Sequence, residues 1–280
     1  MSDRRTYPIR AALAALALIA TKFLPAPVAA GDLPIFDAHV HYSHDAVQRV
    51  PPQEAARLLR EAGVVAALVS SSDDTGTQRL LAAAPDIVVP ALRPYRRRGE
   101  IGTWMHDPTV IDYLEDRLSR FSYRAIGEFH AFGTDINTPV VQRMIELARE
   151  RNLLLHAHSD AEAIDLIFQT WPEARVLWAH SGFDGPAAVR GMLRKHDALW
   201  SDLAYRSDMA RDGKVDPDWR AAFEEFPDRF MVGTDTFAPE RWYYIGPHAE
   251  FSRSWLADLP DGLAARIAHE NAAAMLKAAQ

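Results

Sequence analysis

The sequence predicts a single (β/α)8 barrel, a TIM barrel, and three observations support this fold class. Short apolar segments alternate with longer amphipathic segments after residue 31, which is typical of a parallel sheet covered by helices. There are eight apolar segments in the 250 residues from 31 to 280, and this size and number suit the barrel. None of them leads into a glycine-rich phosphate-binding turn, which disfavours the doubly wound open sheet.

The eight apolar segments are the predicted strands, and the segments between them are the predicted helices. The strands are IFDAHVHY (35–42), VVAALVSS (64–71), DIVVPALRPY (86–95), YRAIGEFH (123–130), NLLLHAHSD (152–160), ARVLWAHSG (174–182), ALWSDLAYR (198–206) and RFMVGTDT (229–236). Helical spacing of apolar residues predicts helices over 51–62, 75–84, 107–120, 138–150, 160–170, 184–196 and 217–226. Right-handed crossovers place each helix on the outside of the barrel.

Residues 1–30 have the order of features of a secretory signal peptide. Basic residues precede the apolar run AALAALALIA, and the small residues of PAPVAA follow it. The run is too short to remain as a membrane span, so we expect cleavage near Ala30 and a mature domain of residues 31–280. The alternative is an uncleaved anchor, which Lys22 and the small-residue site disfavour.

The expected location is therefore the periplasm or the medium. The pair Arg4-Arg5 followed by Thr6 and Tyr7 is compatible with the twin-arginine route, which exports folded proteins. The chain has no cysteine, which excludes a lipoprotein anchor and any disulfide.

The charge of the chain argues against nucleic acid as a partner. Removing residues 1–30 takes away four basic residues and one acidic residue, which changes the formal charge from −7 to −10. Phosphate backbones are bound by clustered Lys and Arg. The basic run RPYRRRGE at 93–100 is interpreted as a solvated loop.

The ends of the predicted strands carry metal-ligand side chains. His39 and His41 are two residues apart in one strand, so both project to the same side. The ends of other strands add Glu128, His156, His158, His180 and Asp235. Because the carboxyl ends of the strands meet at one face of a barrel, we expect these side chains to converge there. Imidazole and carboxylate ligands without thiolate favour a divalent metal, most of all zinc, with manganese or iron as alternatives and one or two ions bound.

Several segments together resemble the amidohydrolase superfamily of metal-dependent barrel hydrolases, and most of all its amidohydrolase-related branch. The matching segments are FDAHVH, AIGEFH, LLLHAHSDAEA, VLWAHSGF, FMVGTDT and ENAAAML, which together extend over most of residues 33–278. The fourth and fifth strands also resemble TatD-type deoxyribonucleases. The combination is specific, although no single segment is.

The resemblance implies both a ligand set and a reaction. It assigns the metal to His39, His41, His156, His180 and Asp235. It also implies that Asp235 handles protons while metal-activated water attacks an ester, lactone or amide carbonyl of a small molecule. A carboxylate beside an activated water suits this role on chemical grounds as well.

Two ligand positions stay open at this point. His156 and His158 have the same strand parity, so spacing does not separate them, and we favour His156 as ligand with His158 facing the substrate. Glu128 is either a metal ligand that bridges two ions or a carboxylate that orients a ligand. His130 shares the face of Glu128 and is its possible replacement.

Residues after other strands are candidates for substrate recognition. Arg93, Arg206 and Arg241 follow the third, seventh and eighth strands, and guanidinium groups at the barrel mouth would suit an anionic substrate. Asp202, Tyr205 and Trp242 are candidates for shaping the pocket, although aromatic residues more often fill core space. His44 and Asp45 are expected in a loop, and no role is assigned to His196, His248 or His269.

Two other functions are compatible with the same residues. A non-oxidative decarboxylase of the same branch would hold an aromatic carboxylate at the metal, and release of carbon dioxide would identify it. A barrel without turnover would be a metal-binding or partner-binding module, but such a module has no need of the proton-transferring Asp235.

Overall fold

The computed structural model describes residues 33–277, which form a barrel of eight parallel strands. The strands are β1 (Ile35–His41), β2 (Val64–Ser70), β3 (Val88–Leu92), β4 (Ala125–His130), β5 (Leu154–His158), β6 (Val176–Trp178) and β7 (Leu199–Asp202), followed by the hairpin strands β8 (Ala210–Arg211) and β9 (Lys214–Val215), and by β10 (Phe230–Met231). The barrel strands pair in chain order from β1 to β7 and then β10. This confirms the predicted fold class and all eight predicted strands.

The segment after β10 returns to β1 and nearly closes the barrel. The backbone N–H of Ala38 donates to the carbonyl of Val232 at 2.9 Å, and that of Asp235 donates to the carbonyl of His39 at 2.7 Å. Asp37 adds side-chain bonds across the same junction, because its carboxylate accepts from both the N–H and the hydroxyl of Thr234. Asp235, which follows the last barrel strand, is therefore held directly beside His39 of the first strand.

Eleven α-helices surround the strands in the described part of the chain. They are α1 (His44–Arg49), α2 (Pro52–Glu61), α3 (Thr75–Ala83), α4 (Thr109–Arg120), α5 (Pro139–Glu150), α6 (Ala161–Thr170), α7 (Pro186–Lys195), α8 (Pro217–Glu225), α9 (Ile245–Leu256), α10 (Asp261–Ala265) and α11 (Asn271–Lys277). Tighter turns lie at Glu100–Gly102, Trp104–His106, Gly133–Asn137, Ala179–Phe183 and Pro239–Tyr244, and a wider π turn at Arg266–Glu270. The seven predicted helices correspond to α2–α8, with each boundary within two residues.

The helices α1, α9 and α10 were not predicted from the sequence. His44 and Asp45 were expected in a loop, but they begin α1. This helix has only six residues, too few for a readable period, and its acidic first turn and basic last turn suit the helix dipole. Helix α9 was not predicted, since Gly246 and Pro247 near its start obscure it; proline is tolerated in the first turn.

The apolar interior closes one end of the barrel. Buried side chains from seven of the eight barrel strands form one cluster with residues of helix α11. The cluster contains Phe36, Ala38, Leu68, Ala91, Ala125, Leu154, Leu177, Met231, Ala272, Met275 and Leu276. A larger cluster fills the space between the strands and the outer helices. The polar strand ends are therefore left at the opposite end of the barrel, where TIM-barrel active sites lie.

The basic run at 93–100 is only partly solvated. Arg97 and Arg98 have exposed side chains as expected, whereas Arg93 and Glu100 are buried.

None of the helices within residues 33–277 combines the length and apolarity needed to cross a bilayer. Residues 1–30, predicted to be a signal peptide, lie outside the described residues.

Candidate metal centre

The ends of β1 and β10 bring three possible metal ligands together. Nε2 of His39 lies 3.1 Å from Nε2 of His41, and Oδ1 of Asp235 lies 3.9 and 3.5 Å from these two nitrogens. Ligands at about 2.1 Å from a tetrahedral zinc ion lie about 3.4 Å from one another. Both histidines are buried and Asp235 is 7% exposed. The donor types and their separations fit a divalent cation.

Glu128, at the end of β4, occupies the middle of the site. Its Oε2 lies 3.1 Å from Nε2 of His41, and its Oε1 lies 3.5 Å from Nε2 of His39 and 3.4 Å from Nε2 of His180. It also accepts hydrogen bonds from Arg93 Nη2 at 2.6 Å and His158 Nδ1 at 2.8 Å. Burial disfavours the carboxylate, but the charge of His39 and the hydrogen bonds of His158 and His180 hold the pKa of Glu128 well below its ordinary value.

Neighbouring acceptors fix the ring orientation of two candidate ligands. Nδ1 of His180 lies 2.8 Å from the carbonyl of Ala204, which only accepts, so this nitrogen carries the proton. Nδ1 of His39 lies 3.1 Å from Oδ2 of Asp202, and the same reasoning assigns it the proton. Nε2 of each ring is then the nitrogen that faces the site, as a metal ligand requires. Burial opposes protonation of His39, but Asp202 and Glu128 raise its pKa well above the ordinary value, so His39 would release its Nε2 proton on binding a cation. Nδ1 of His41 contacts the hydroxyl of Ser70 at 2.9 Å.

Asp202, at the end of β7, contacts several candidate ligands, whereas its sequence position indicated only a residue that shapes the pocket. Its side chain is fully buried and accepts from His39 Nδ1, from His156 Nε2 at 3.1 Å and from the backbone N–H of His180 at 2.9 Å. Burial opposes its ionisation, but the charge of His39 and these hydrogen bonds hold its pKa well below the ordinary value. One feature of the sequence could have indicated this role: Asp202 lies at the end of its strand, as the other candidate ligands do.

The two histidines of β5 face different acids. Nε2 of His156 points to Asp202, and its ring centroid lies 4.5 Å from that of His39. His158 is partly exposed, donates to Glu128 and stacks on His130 with ring centroids 4.0 Å apart. Burial lowers the pKa of His156 to about 4 and that of His130 to about 3, which keeps both rings neutral. Both β5 histidines therefore belong to the site, and the assignment of His156 as ligand remains a prediction.

Three sets of side chains within residues 33–277 have donor atoms close enough to share a cation. They are His39 with His180 and Asp202; His39 with His41 and Asp235; and Glu128 with His130 and His158. The predicted ligands His39, His41, Glu128, His180 and Asp235 each belong to at least one set. His156 lies against these sets through Asp202.

The three arginines that were predicted to recognise substrate all have protein partners. Arg93 binds the side chain and the carbonyl of Glu128. Arg206 donates to the carbonyl of His180 at 2.9 Å and to Asp208. Arg241 donates to the backbone carbonyls of Thr234 and Asp235. In this arrangement each guanidinium supports a segment that carries a candidate ligand.

The sequence of the chain matches the family model for amidohydrolases, Amidohydro_2, over residues 36–278. No curated protein is significantly similar to the chain in sequence. This family uses divalent metals, and the donor sets described above are able to bind them.

Similar solved structures share the barrel. An uncharacterised TIM-barrel protein of Bordetella bronchiseptica is 13% identical, with a TM-score of 0.59 over 88% of this chain and 99% of the other. A putative 2-pyrone-4,6-dicarboxylic acid hydrolase of Pseudomonas putida is 14% identical, with a TM-score of 0.59 over 88% and 98%. A TatD-family hydrolase of Entamoeba histolytica is 8% identical, with a TM-score of 0.54 over 86% and 98%. At these identities the likeness establishes the fold. The match to the family model over nearly all described residues shows that the chain belongs to the amidohydrolase family of metal-dependent hydrolases.

Proposed function

We propose that this protein hydrolyses an ester, lactone or amide bond of a small-molecule substrate. The observation that carries the proposal is the position of Asp235. Its carboxylate lies opposite Nε2 of His39 and His41, at 3.9 and 3.5 Å, at the open end of the barrel. A carboxylate placed beside a cation site can take a proton from an attacking water and return it to the leaving group.

The cation is proposed to be zinc, with manganese or iron as alternatives. His39, His41 and Asp235 would hold it, with Glu128 and His180 as further ligands on the other side. Imidazole and carboxylate donors at near-tetrahedral separations support zinc. When bound, the cation would lower the pKa of a water to about 7 and polarise a carbonyl.

Other residues of the chain position these groups. Asp202 holds the ring of His39 through Nδ1, and Ala204 holds that of His180 in the same way. His158 is held by Glu128 and is partly exposed, which supports the proposal that it would orient substrate. Arg93, Arg206 and Arg241 already bind groups of the protein, so the proposal does not require a charged substrate.

Export is proposed on the basis of residues 1–30 alone. Their basic, apolar and small-residue order supports cleavage near Ala30 and delivery to the periplasm or the medium.

The test of the proposed reaction is a substrate screen with metal-replete protein and its Asp235→Asn variant. Esters, lactones, amides and aromatic carboxylates are assayed, with carbon dioxide measured in parallel. We expect hydrolysis without carbon dioxide, and a loss of turnover of about 100-fold to 10,000-fold in the variant, which should retain much of its metal. Asp212→Asn is the control, since Asp212 is exposed between β8 and β9. Hydrolysis by Asp235→Asn at the parent rate would refute the role of Asp235. Carbon dioxide release would show a decarboxylase instead.

A further inference from the structure

The exposed apolar side chains of this protein are concentrated at one end of the barrel. Within residues 33–277, eight large apolar side chains are exposed. Seven of them follow the carboxyl ends of barrel strands: Ile101, Phe132, Phe183, Tyr205, Phe237, Tyr243 and Tyr244. Val65, near the start of β2, is the exception. Six of the seven are aromatic. Exposed apolar groups gathered in one region mark an interaction site, and this region surrounds the candidate metal centre.

Two of these rings contact the histidines of the metal centre directly. Phe183 stacks on His180, with centroids 4.6 Å apart and planes 13° apart. Both Phe183 and Phe132 lie 5.9 Å from the ring of His158. Phe183 is 52% exposed and Phe132 is 45% exposed. Each phenyl ring therefore has one side on the site and another side open to a ligand.

An unusual backbone segment holds Phe183 in this place. Four consecutive residues, 180–183, have left-handed backbone angles with φ between 53° and 62°. A left-handed conformation costs about 1–2 kcal/mol for a residue other than glycine. Bonds from the backbone N–H of His180 and the hydroxyl of Ser181 to Asp202 maintain the segment, together with the bond from Arg206 to the carbonyl of His180. The turn places the His180 imidazole in the site and the Phe183 ring above it.

Aromatic rings also lie around the arginine that follows β10. Arg241 lies 4.8 Å from the ring centroid of Tyr205 and 5.4 Å from that of Phe237, while its Nε and Nη2 donate to backbone carbonyls. The Arg241 side chain is therefore engaged by rings and by the backbone, and the exposed large apolar groups near it are aromatic.

We propose that Phe132 and Phe183 determine substrate specificity by holding a flat aromatic group beside the scissile bond. Aromatic rings pair best in edge-to-face or offset-stacked arrangements. Phe132 and Phe183 both lie 5.9 Å from the ring of His158, at 76° and 57° to it, so an aromatic group entering beside His158 comes close to both phenyl rings. The substrate class is then an aryl ester, lactone or amide. This inference rests on the proposed function, because it names the substrate of the same site.

The test uses two metal chelators that differ in their ring, benzohydroxamic acid and acetohydroxamic acid. Their dissociation constants for zinc-loaded protein are measured by calorimetry, which does not depend on turnover. We expect benzohydroxamic acid to bind at least about 10-fold more tightly than acetohydroxamic acid in the parent protein. Phe183→Ala and Phe132→Ala should each remove most of this preference while leaving the affinity for acetohydroxamic acid within about 2-fold.

Controls separate specificity from damage to the metal centre. Val65→Ala removes an equally exposed apolar side chain at the other end of the barrel, and the preference should remain. Phe132 does not stack on His180, so Phe132→Ala tests the proposal even if Phe183→Ala loses zinc. Equal affinity of the parent for the two hydroxamates, or an unchanged preference in Phe132→Ala, would overturn the proposal. So would a dimer in sedimentation that Phe132→Ala dissociates, because a second copy would then be the occupant of the rings.

Failure of the proposed function has a different signature. If hydroxamates bind with the expected ring preference but no ester, lactone or amide is hydrolysed, the aromatic site is supported and the hydrolytic reaction is wrong. If acetohydroxamic acid binds and the ring preference is absent, the metal centre is supported and the aromatic site is wrong.

Discussion

Oδ2 of Asp202 lies 3.1 Å from Nδ1 of His39 and the same distance from Nε2 of His156, so one buried carboxylate holds two histidines from different strands. Its other oxygen accepts from the backbone N–H of His180. The end of β7 therefore links the ends of β1, β5 and β6. A residue with these contacts positions ligands without needing to touch substrate.

The first prediction concerns Asp202→Asn. Four groups face this side chain, the backbone N–H of Ala204 included, and all are donors, so an amide presents its N–H₂ to at least one of them. We expect a loss of metal affinity of about 10-fold to 100-fold, measured by competition with a chromogenic chelator. Asp165→Asn is the matched control, because Asp165 also accepts from a histidine, His196, but outside the site. Equal affinity in Asp202→Asn and the parent would contradict the positioning role.

The second prediction concerns the number of metal ions. Glu128 lies 3.1–3.5 Å from Nε2 of His41, His39 and His180, so we expect it to join two cation positions. Glu128→Gln should lose about one metal equivalent per chain by elemental analysis, because an amide is a poorer bridge than a carboxylate. Glu100→Gln is the control, since Glu100 is also buried and bound to an arginine. Unchanged stoichiometry would assign Glu128 to holding Arg93 and His158.

A third prediction concerns the stability of the left-handed turn. A Cβ atom at Gly182 would lie 2.2 Å from Cζ2 of Trp178, and its φ of +62° is unfavourable for alanine. Gly182→Ala should lower the free energy of unfolding by about 2–4 kcal/mol in thermal or denaturant unfolding. Gly191→Ala, in the exposed middle of α7 with open space around it, should be neutral or stabilising by up to about 1 kcal/mol. Equal stability of the two variants would show that the turn relaxes.

The fourth prediction concerns export. Fractionation of the producing cell should recover a chain that starts near Gly31, outside the cytosol, as identified by N-terminal sequencing. Replacement of Arg4 and Arg5 by lysine should reduce export if the twin-arginine route is used, whereas Arg10→Lys should not. Full-length protein confined to the cytosol would contradict the assignment of residues 1–30.

Most of the fold and many of the candidate site residues could be predicted from local sequence patterns. The eight strands and the helices α2–α8 followed from apolar runs and helical spacing, because burial of one face leaves a period in the sequence. The strand-end position of His39, His41, Glu128, His180 and Asp235 was also visible, since parallel strands bring their carboxyl ends to one face. The match over residues 36–278 confirms the family that these segments resemble.

Tertiary structure alone decided how these residues are used. The role of Asp202 depends on which three donors converge on it from β1, β5 and β6, and no spacing within one strand contains that information. The partners of Arg93, Arg206 and Arg241 could not be predicted for the same reason. An arginine in a predicted loop can bind either a substrate or a group of the protein, and the sequence does not distinguish the two. Aromatic residues are usually expected in the core, but Phe132 and Phe183 are exposed. The sequence shows only that these residues are aromatic, whereas the packing of the barrel determines which side of each ring stays exposed.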